Sequence, residues 1–232
     1  MKTVTININH RQCLIYRSQA QPEALLIQPV HVKELPRFNT LIDLIAADGN
    51  RPFALAAFTV DEWTRQLMPW HDPDVDRDPD SGAHAHDTLP FITQFLLPYC
   101  RQLMEPLPVI IGGYSLAALF ALWATTLTDV FHAVAAASPS VWIRGWNDFA
   151  STHSFNTQYV YLSLGDREHI TKNQAIARVA DNLRALHRHL ALSIGTSHVT
   201  LEWNNGGHFT DETARTARAF ATSLLHCPPT RF

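Results

Sequence analysis

Residues 3–8, TVTINI, alternate β-branched and polar side chains, the period-two pattern of a half-exposed strand, and residues 13–16, CLIY, suit its hairpin partner. From residue 24 the pattern changes. Residues 24–30, ALLIQPV, are a continuous apolar run of strand length, which fits a parallel strand buried on both faces. Residues 33–47 carry Leu35, Phe38, Leu41, Ile42 and Ile45 at helical spacing, and Asp48-Gly49-Asn50 stops that helix. Residues 53–60, FALAAFTV, predict the next buried strand, and residues 87–103 predict a helix with Leu89, Ile92, Phe95, Leu96, Tyr99 and Leu103 on one side. In 107–124, LPVIIGGYSLAALFALWA, an apolar strand runs into a glycine turn and then into strong helix formers. Residues 132–137 are a small-residue strand ending in Ser138-Pro139-Ser140, which read as turn or cap residues. Further strands are predicted at 159–164 and 199–203. Amphipathic helices are predicted at 171–190, with Arg178, Arg184 and Arg188 on a solvated face, and at 211–225, where Pro228-Pro229 ends the helix.

Strands and helices thus alternate from residue 24 on. That order predicts an α/β fold, a mostly parallel sheet of about eight strands with helices on both faces. No repeat, linker or break in composition divides the chain, so residues 1–232 read as one domain. The exception to the periodicity is 69–86, PWHDPDVDRDPDSGAHAH, which reads as a long solvated surface loop.

Composition narrows the function classes. Of 232 residues 46% are hydrophobic, enough for a sizeable core. The formal net charge is -3 and the basic residues are scattered, so neither nucleic acid nor an acidic membrane surface is an expected partner. Three widely spaced cysteines, Cys13, Cys100 and Cys227, make neither a disulfide framework nor a zinc ribbon. With no apolar leader and no bilayer-length apolar run, a cytoplasmic location is expected. Nothing specifies an oligomer.

The chemistry centres on Gly113-Tyr114-Ser115-Leu116-Ala117. A serine between a buried strand and a buried helix stands at the carboxyl edge of a sheet, where an α/β enzyme puts a nucleophile. Glycine-x-serine-x-small spacing arises by chance in roughly one such chain in six, so the flanking strand and helix carry the argument. A serine hydroxyl needs a base, an acid to hold that base, and N–H donors for the oxyanion. The acid is sought at the next suitable strand end, Gly165-Asp166-Arg167-Glu168, where Asp166 and Glu168 compete. The base is His208, in NNGGHFTD after the last strand, third in the chain order Ser, acid, His. The amide of Leu116 is one oxyanion donor. The other comes from the loop after 24–30, and because Pro29 has no N–H it falls to Val30 or His31. Trp142 and Trp146 follow a strand end and either line a substrate pocket or pack in the core. The His and Asp residues of 71–87 lack the helical spacing of a metalloprotease, and the expectation is no metal and a solvated loop.

The elbow, SLGDRE, GGHF and the segment AAASPSVW together resemble the esterase branch of the α/β-hydrolase superfamily that includes enterochelin-esterase-like and S-formylglutathione-hydrolase-like proteins. The resemblance covers residues 100–210 well and the N-terminal part in element order. It implies an α/β-hydrolase fold and a serine hydrolase acting on a small-molecule carboxylic ester through an acyl-enzyme, without metal or organic cofactor. It also favours Glu168, three residues after Gly165, as the acid. The chain departs from the pattern at Ala117, where glycine is usual, and at the first oxyanion loop, which reads QPV in place of an HG dipeptide. A hydrolase fold kept as a weakly active binding or regulatory module is the alternative these departures leave.

Overall fold

The computed structural model describes residues 2–78 and 83–228. The chain opens with a hairpin, β1 (Lys2–Ile8) and β2 (Arg11–Arg17), closed by Asn9 and His10, both at positive φ, as a two-residue hairpin turn requires. Next come β3 (Leu25–Val30), a short 3-10 turn (Val32–Arg37), α1 (Phe38–Gly49) and β4 (Ala54–Thr59). After β4 the chain forms α2 (Trp63–Leu67), α3 (Ala85–Phe91) and α4 (Leu97–Leu103). Strand β5 (Val109–Tyr114) leads into α5 (Leu116–Leu127), β6 (Ala133–Ala137) into α6 (Trp146–Thr152), and β7 (Tyr159–Gly165) into α7 (Val179–Ile194). Strand β8 (Val199–Asn204) and α8 (Glu212–Leu225) complete the order.

All eight strands form one sheet, in the order β1-β2-β4-β3-β5-β6-β7-β8. Among the described residues only the β1–β2 and β2–β4 pairs are antiparallel. The all-apolar runs read from the sequence are the strands buried on both faces. In β3, Leu25 and Ile27 face one layer while Leu26 and Val30 face the other. One face carries α1 and α8, which pack on each other. The opposite face carries α2 to α7. Helix α5 is buried from Leu116 to Thr125, which explains why its sequence is apolar all round. The chain goes from β3 outward to β4 and then returns past β3 to β5. Loops leaving β3 and β5 therefore diverge at the carboxyl edge, and a crevice opens between them.

Several boundaries differ from the sequence expectation. The 87–103 helix is three pieces: α3, a π-turn (Ile92–Leu96) and α4. Pro98 lacks an N–H and its ring crowds the carbonyl four residues back; the wider turn, in which the Leu97 amide donates to the Ile92 carbonyl, absorbs this. The 171–190 helix begins only at Val179. Before it, Asn173 Oδ1 accepts from the amides of Ala175 and Ile176, a local turn that competes with helix. The short helices α2 and α6 were not foreseen. The 69–86 loop is not a free excursion. Asp72 is buried and accepts from the amides of Asp74 (2.9 Å) and Arg144 (2.7 Å), and Trp70 Nε1 donates to the Arg144 carbonyl at 2.8 Å. Residues 79–82 of that loop, and Pro229 of the terminal proline pair, lie outside the described residues. Among the described residues no helix is long and apolar enough to cross a membrane.

Candidate active site

Ser115 sits between β5 and α5 with φ 56° and ψ -115°, a strained conformation for a residue with a Cβ. It is held there from three sides. Its amide donates to the Ala137 carbonyl at 3.0 Å, and its carbonyl accepts from the amides of Leu119 (3.1 Å) and Ser140 (3.2 Å). Gly113, at φ 154°, makes the sharp turn possible. A Cβ there would meet the Ala117 Cβ at 2.7 Å. The elbow thus tolerates Ala117 because the glycine opposite it has no side chain.

Strand β7 ends at Gly165, and the next three residues form a tight turn closed by the Glu168 amide on the Gly165 carbonyl, 3.2 Å. This turn is zipped to the one after β8. Asp166 and Arg167 donate their amides to the carbonyls of Asn204 (2.8 Å) and Gly206 (3.1 Å), and the Gly206 amide donates to Asp166 Oδ1 at 2.8 Å. Asp166 is therefore a turn residue. Its carboxylate braces the loop that carries His208, and Glu168 is the carboxylate on the imidazole. His208 Nδ1 is 2.7 Å from Glu168 Oε2, and His208 Nε2 is 3.0 Å from Ser115 Oγ. The Tyr114 hydroxyl donates to the His208 carbonyl at 2.7 Å, which ties the loop to the strand bearing the serine.

Glu168 is held by more than His208. Its Oε1 accepts from the Gly165 amide (2.6 Å), from Arg215 Nη2 (2.8 Å) and from the Ser138 hydroxyl. Burial pushes its carboxyl up, but the hydrogen bonds from His208, Ser138, Arg215 and Gly165 together outweigh it and hold it at about 2. An ionised Glu168 has no proton to give, so Nδ1 of His208 carries the hydrogen, and in the neutral imidazole Nε2 is the acceptor facing Ser115. Arg215, from α8, is itself buried. It also reaches Asn204 Oδ1 (2.9 Å), the Gly207 carbonyl (3.3 Å) and Ser138 Oγ (2.5 Å), and its guanidinium lies 5.2 Å from the centre of the Tyr114 ring. From the sequence, Arg215 has no assigned role, and Ser138 and Ser140 read as turn or cap residues, not as members of the site. The available signals were an arginine on the apolar side of the last helix, one turn from Ala219, and two serines directly after a strand end.

Of the two amides weighed after β3, the ladder separates them. Amides and carbonyls of alternate residues in a strand point to opposite neighbours. The Leu25 amide donates to Pro108, on the β5 side, and the Val30 carbonyl accepts from Val60, on the β4 side. Val30 thus faces away from the serine, a correction to the sequence expectation. His31 falls on the β5 side, and its amide donates to Glu34 Oε2 at 2.7 Å in a capping box at the start of the 3-10 turn. Trp146 is a second correction. It is fully buried among Trp70 and Phe149, with ring centres 6.3 and 5.8 Å apart, and is core rather than pocket wall. Trp142 is half-buried and lines a polar cavity with Arg144, Asn147, Gln174, Arg178 and Asn182. Among the described residues no group of three His, Cys, Asp or Glu is placed to hold a metal ion.

Sequence comparison finds no matching family model and no matching curated relative. Comparison of structures does find likenesses. A siderophore hydrolase from Aspergillus nidulans, EstB, is 17% identical, with a TM-score of 0.74 over 95% of this chain and 93% of its own. An IroE-like serine hydrolase from Shewanella oneidensis is 11% identical, with a TM-score of 0.74 over 97% of this chain and 79% of its own. The enterobactin esterase of Shigella flexneri is 18% identical, with a TM-score of 0.61 over 97% of this chain and 58% of its own. At these identities the likeness establishes the α/β-hydrolase fold.

Proposed function

We propose that the chain is a single-domain serine hydrolase that cleaves a carboxylic ester. The observation that carries the reading is the continuous line of contacts from Glu168 through His208 to a serine on a strained elbow, 2.7 and 3.0 Å long. In this reading Ser115 Oγ attacks the acyl carbon while His208 Nε2 takes its proton. Glu168 holds the imidazole in the tautomer that accepts this proton and offsets the charge that forms on it. The alcohol leaves with the proton from His208. Water, deprotonated by the same nitrogen, then cleaves the acyl-enzyme.

The developing oxyanion has one donor in the Leu116 amide, at the first turn of α5, where no intrahelical acceptor exists and the helix dipole favours negative charge. The His31 amide is the second. Glu34 occupies it in this structure, and this reading requires the carboxylate to turn away when the substrate carbonyl arrives. Phe209, beside His208, is 85% exposed, and Ile170, two residues after Glu168, is 70% exposed. Large apolar side chains at these positions suit an ester with an uncharged body. Two of the three structural neighbours are named for siderophore or enterobactin hydrolysis, so siderophore esters are the class to assay first, beside p-nitrophenyl acetate. The buried free cysteines fit a reducing compartment.

The test is direct. A fluorophosphonate should label the protein at Ser115, and Ser115→Ala should abolish both labelling and p-nitrophenyl acetate turnover. A protein that does not label, with turnover unchanged by Ser115→Ala, is instead the weakly active binding module.

A further inference from the structure

Ser140 lies outside the line from Glu168 to Ser115, yet it touches the reacting atom. Its hydroxyl oxygen is 3.1 Å from Ser115 Oγ, and its amide donates to the Ser115 carbonyl at 3.2 Å. The side chain is buried, and the turn that carries it is fixed. The Val141 amide donates to Pro139 (2.7 Å), the Ile143 amide to Ser140 (3.3 Å), and Asn182 Nδ2 to the Val141 carbonyl (2.9 Å). The hydrogens between the two serines can be assigned. In the neutral imidazole whose Nδ1–H faces Glu168, Nε2 carries no proton and accepts the single hydroxyl proton of Ser115. Only lone pairs then remain on Ser115 Oγ. The Ser140 hydroxyl must be the donor across the 3.1 Å contact.

We propose that Ser140 is a further catalytic residue, whose O–H donates to Ser115 Oγ and promotes breakdown of the acyl-enzyme. This rests on the serine-hydrolase reading above. A donor on Oγ acts differently on the two half-reactions. Before attack it withdraws density from the lone pair that must reach the acyl carbon. In the acyl-enzyme, Oγ is the ester oxygen and the leaving group. Water adds to the acyl carbon and its proton passes to His208 Nε2. The bond from Oγ to the acyl carbon then breaks, its electron pair ends on Oγ, and His208 returns the proton there. The Ser140 O–H stabilises the charge on Oγ while that pair arrives, and its own proton stays on Ser140. Preorganised donors aimed at developing charge are among the larger effects in such sites. Ser140 thus favours the second half-reaction over the first.

Stopped-flow turnover of p-nitrophenyl acetate separates the halves: the burst reports acylation and the steady rate reports deacylation. Ser140→Ala should keep the burst rate at or above that of the wild type and lose about tenfold in the steady rate, as for one charge-directed hydrogen bond. Ser140→Cys, of similar size and with a weak S–H donor, should fall between the two. Equal losses in both phases would mean that Ser140 only holds Ser115 in place, and unchanged phases would mean no role; either result overturns the proposal while fluorophosphonate labelling of Ser115 stands. Failure of Ser115 to label would overturn both readings at once.

Discussion

Replacing Glu168 by glutamine probes the proposed acid at two levels, and the structure sets a magnitude for stability. The carboxyl is held at about 2 against an ordinary 4.5. At about 1.4 kcal/mol per unit this makes its ionised form worth about 3 kcal/mol of stability at neutral pH. The side chain is 3% exposed, so little of this is lost to solvent screening. Because the folded-state value lies below the unfolded one, this stability is fully present above about pH 4.5 and is lost as pH falls toward 2. Glutamine cannot ionise, and it leaves the buried Arg215 guanidinium without its counter-charge. Urea unfolding followed by tryptophan fluorescence should therefore show a gap of about 3 kcal/mol between wild type and Glu168→Gln at pH 7. The gap should close steadily between pH 4.5 and 2. In the same preparations p-nitrophenyl acetate turnover should fall by about 10⁴, the cost of losing the group that orients the base. Asp166→Asn disturbs one hydrogen bond of a turn and should cost no more than about tenfold. A gap that stays constant from pH 7 to pH 3, or a larger activity loss in Asp166→Asn, would refute the reasoning.

Two other expectations follow from local geometry. Gly113→Ala forces two Cβ atoms to 2.7 Å at positive φ; it should lower stability by more than about 2 kcal/mol, read as a shift of the thermal midpoint, and a variant as stable as wild type would contradict the elbow packing. Glu34→Ala removes the carboxylate that occupies the His31 amide. It should cost about 1 kcal/mol through the lost capping box. It should also raise kcat/KM about fivefold by freeing an oxyanion donor, and a fall in kcat/KM would remove His31 from that role.

The sequence by itself determined the parallel sheet and its two helical layers. Continuous apolar runs such as 24–30 and 53–60 have nowhere to go but a strand covered on both faces, and the alternation with helical periods leaves few topologies. Ser115 was legible for a related reason. A strand, a glycine turn and an apolar helix are local patterns, and they place the serine without help from the rest of the chain. His208 could be read from its order after the last strand. What the tertiary structure decided were choices between near neighbours and contacts between distant ones. Asp166 and Glu168 are alike to any pattern; only the pairing of the β7 and β8 turns sends one to an amide and the other to the imidazole. Val30 and His31 differ by one position, and only the ladder shows which strand each amide faces. Arg215 reaches Glu168 across 47 positions of sequence, and Ser140 reaches Ser115 across 25. A hydrogen bond depends on tenths of an ångström between atoms that the fold brings together, whereas burial and periodicity are averages over a segment. The averages are written along the chain, and the contacts exist only once it has folded.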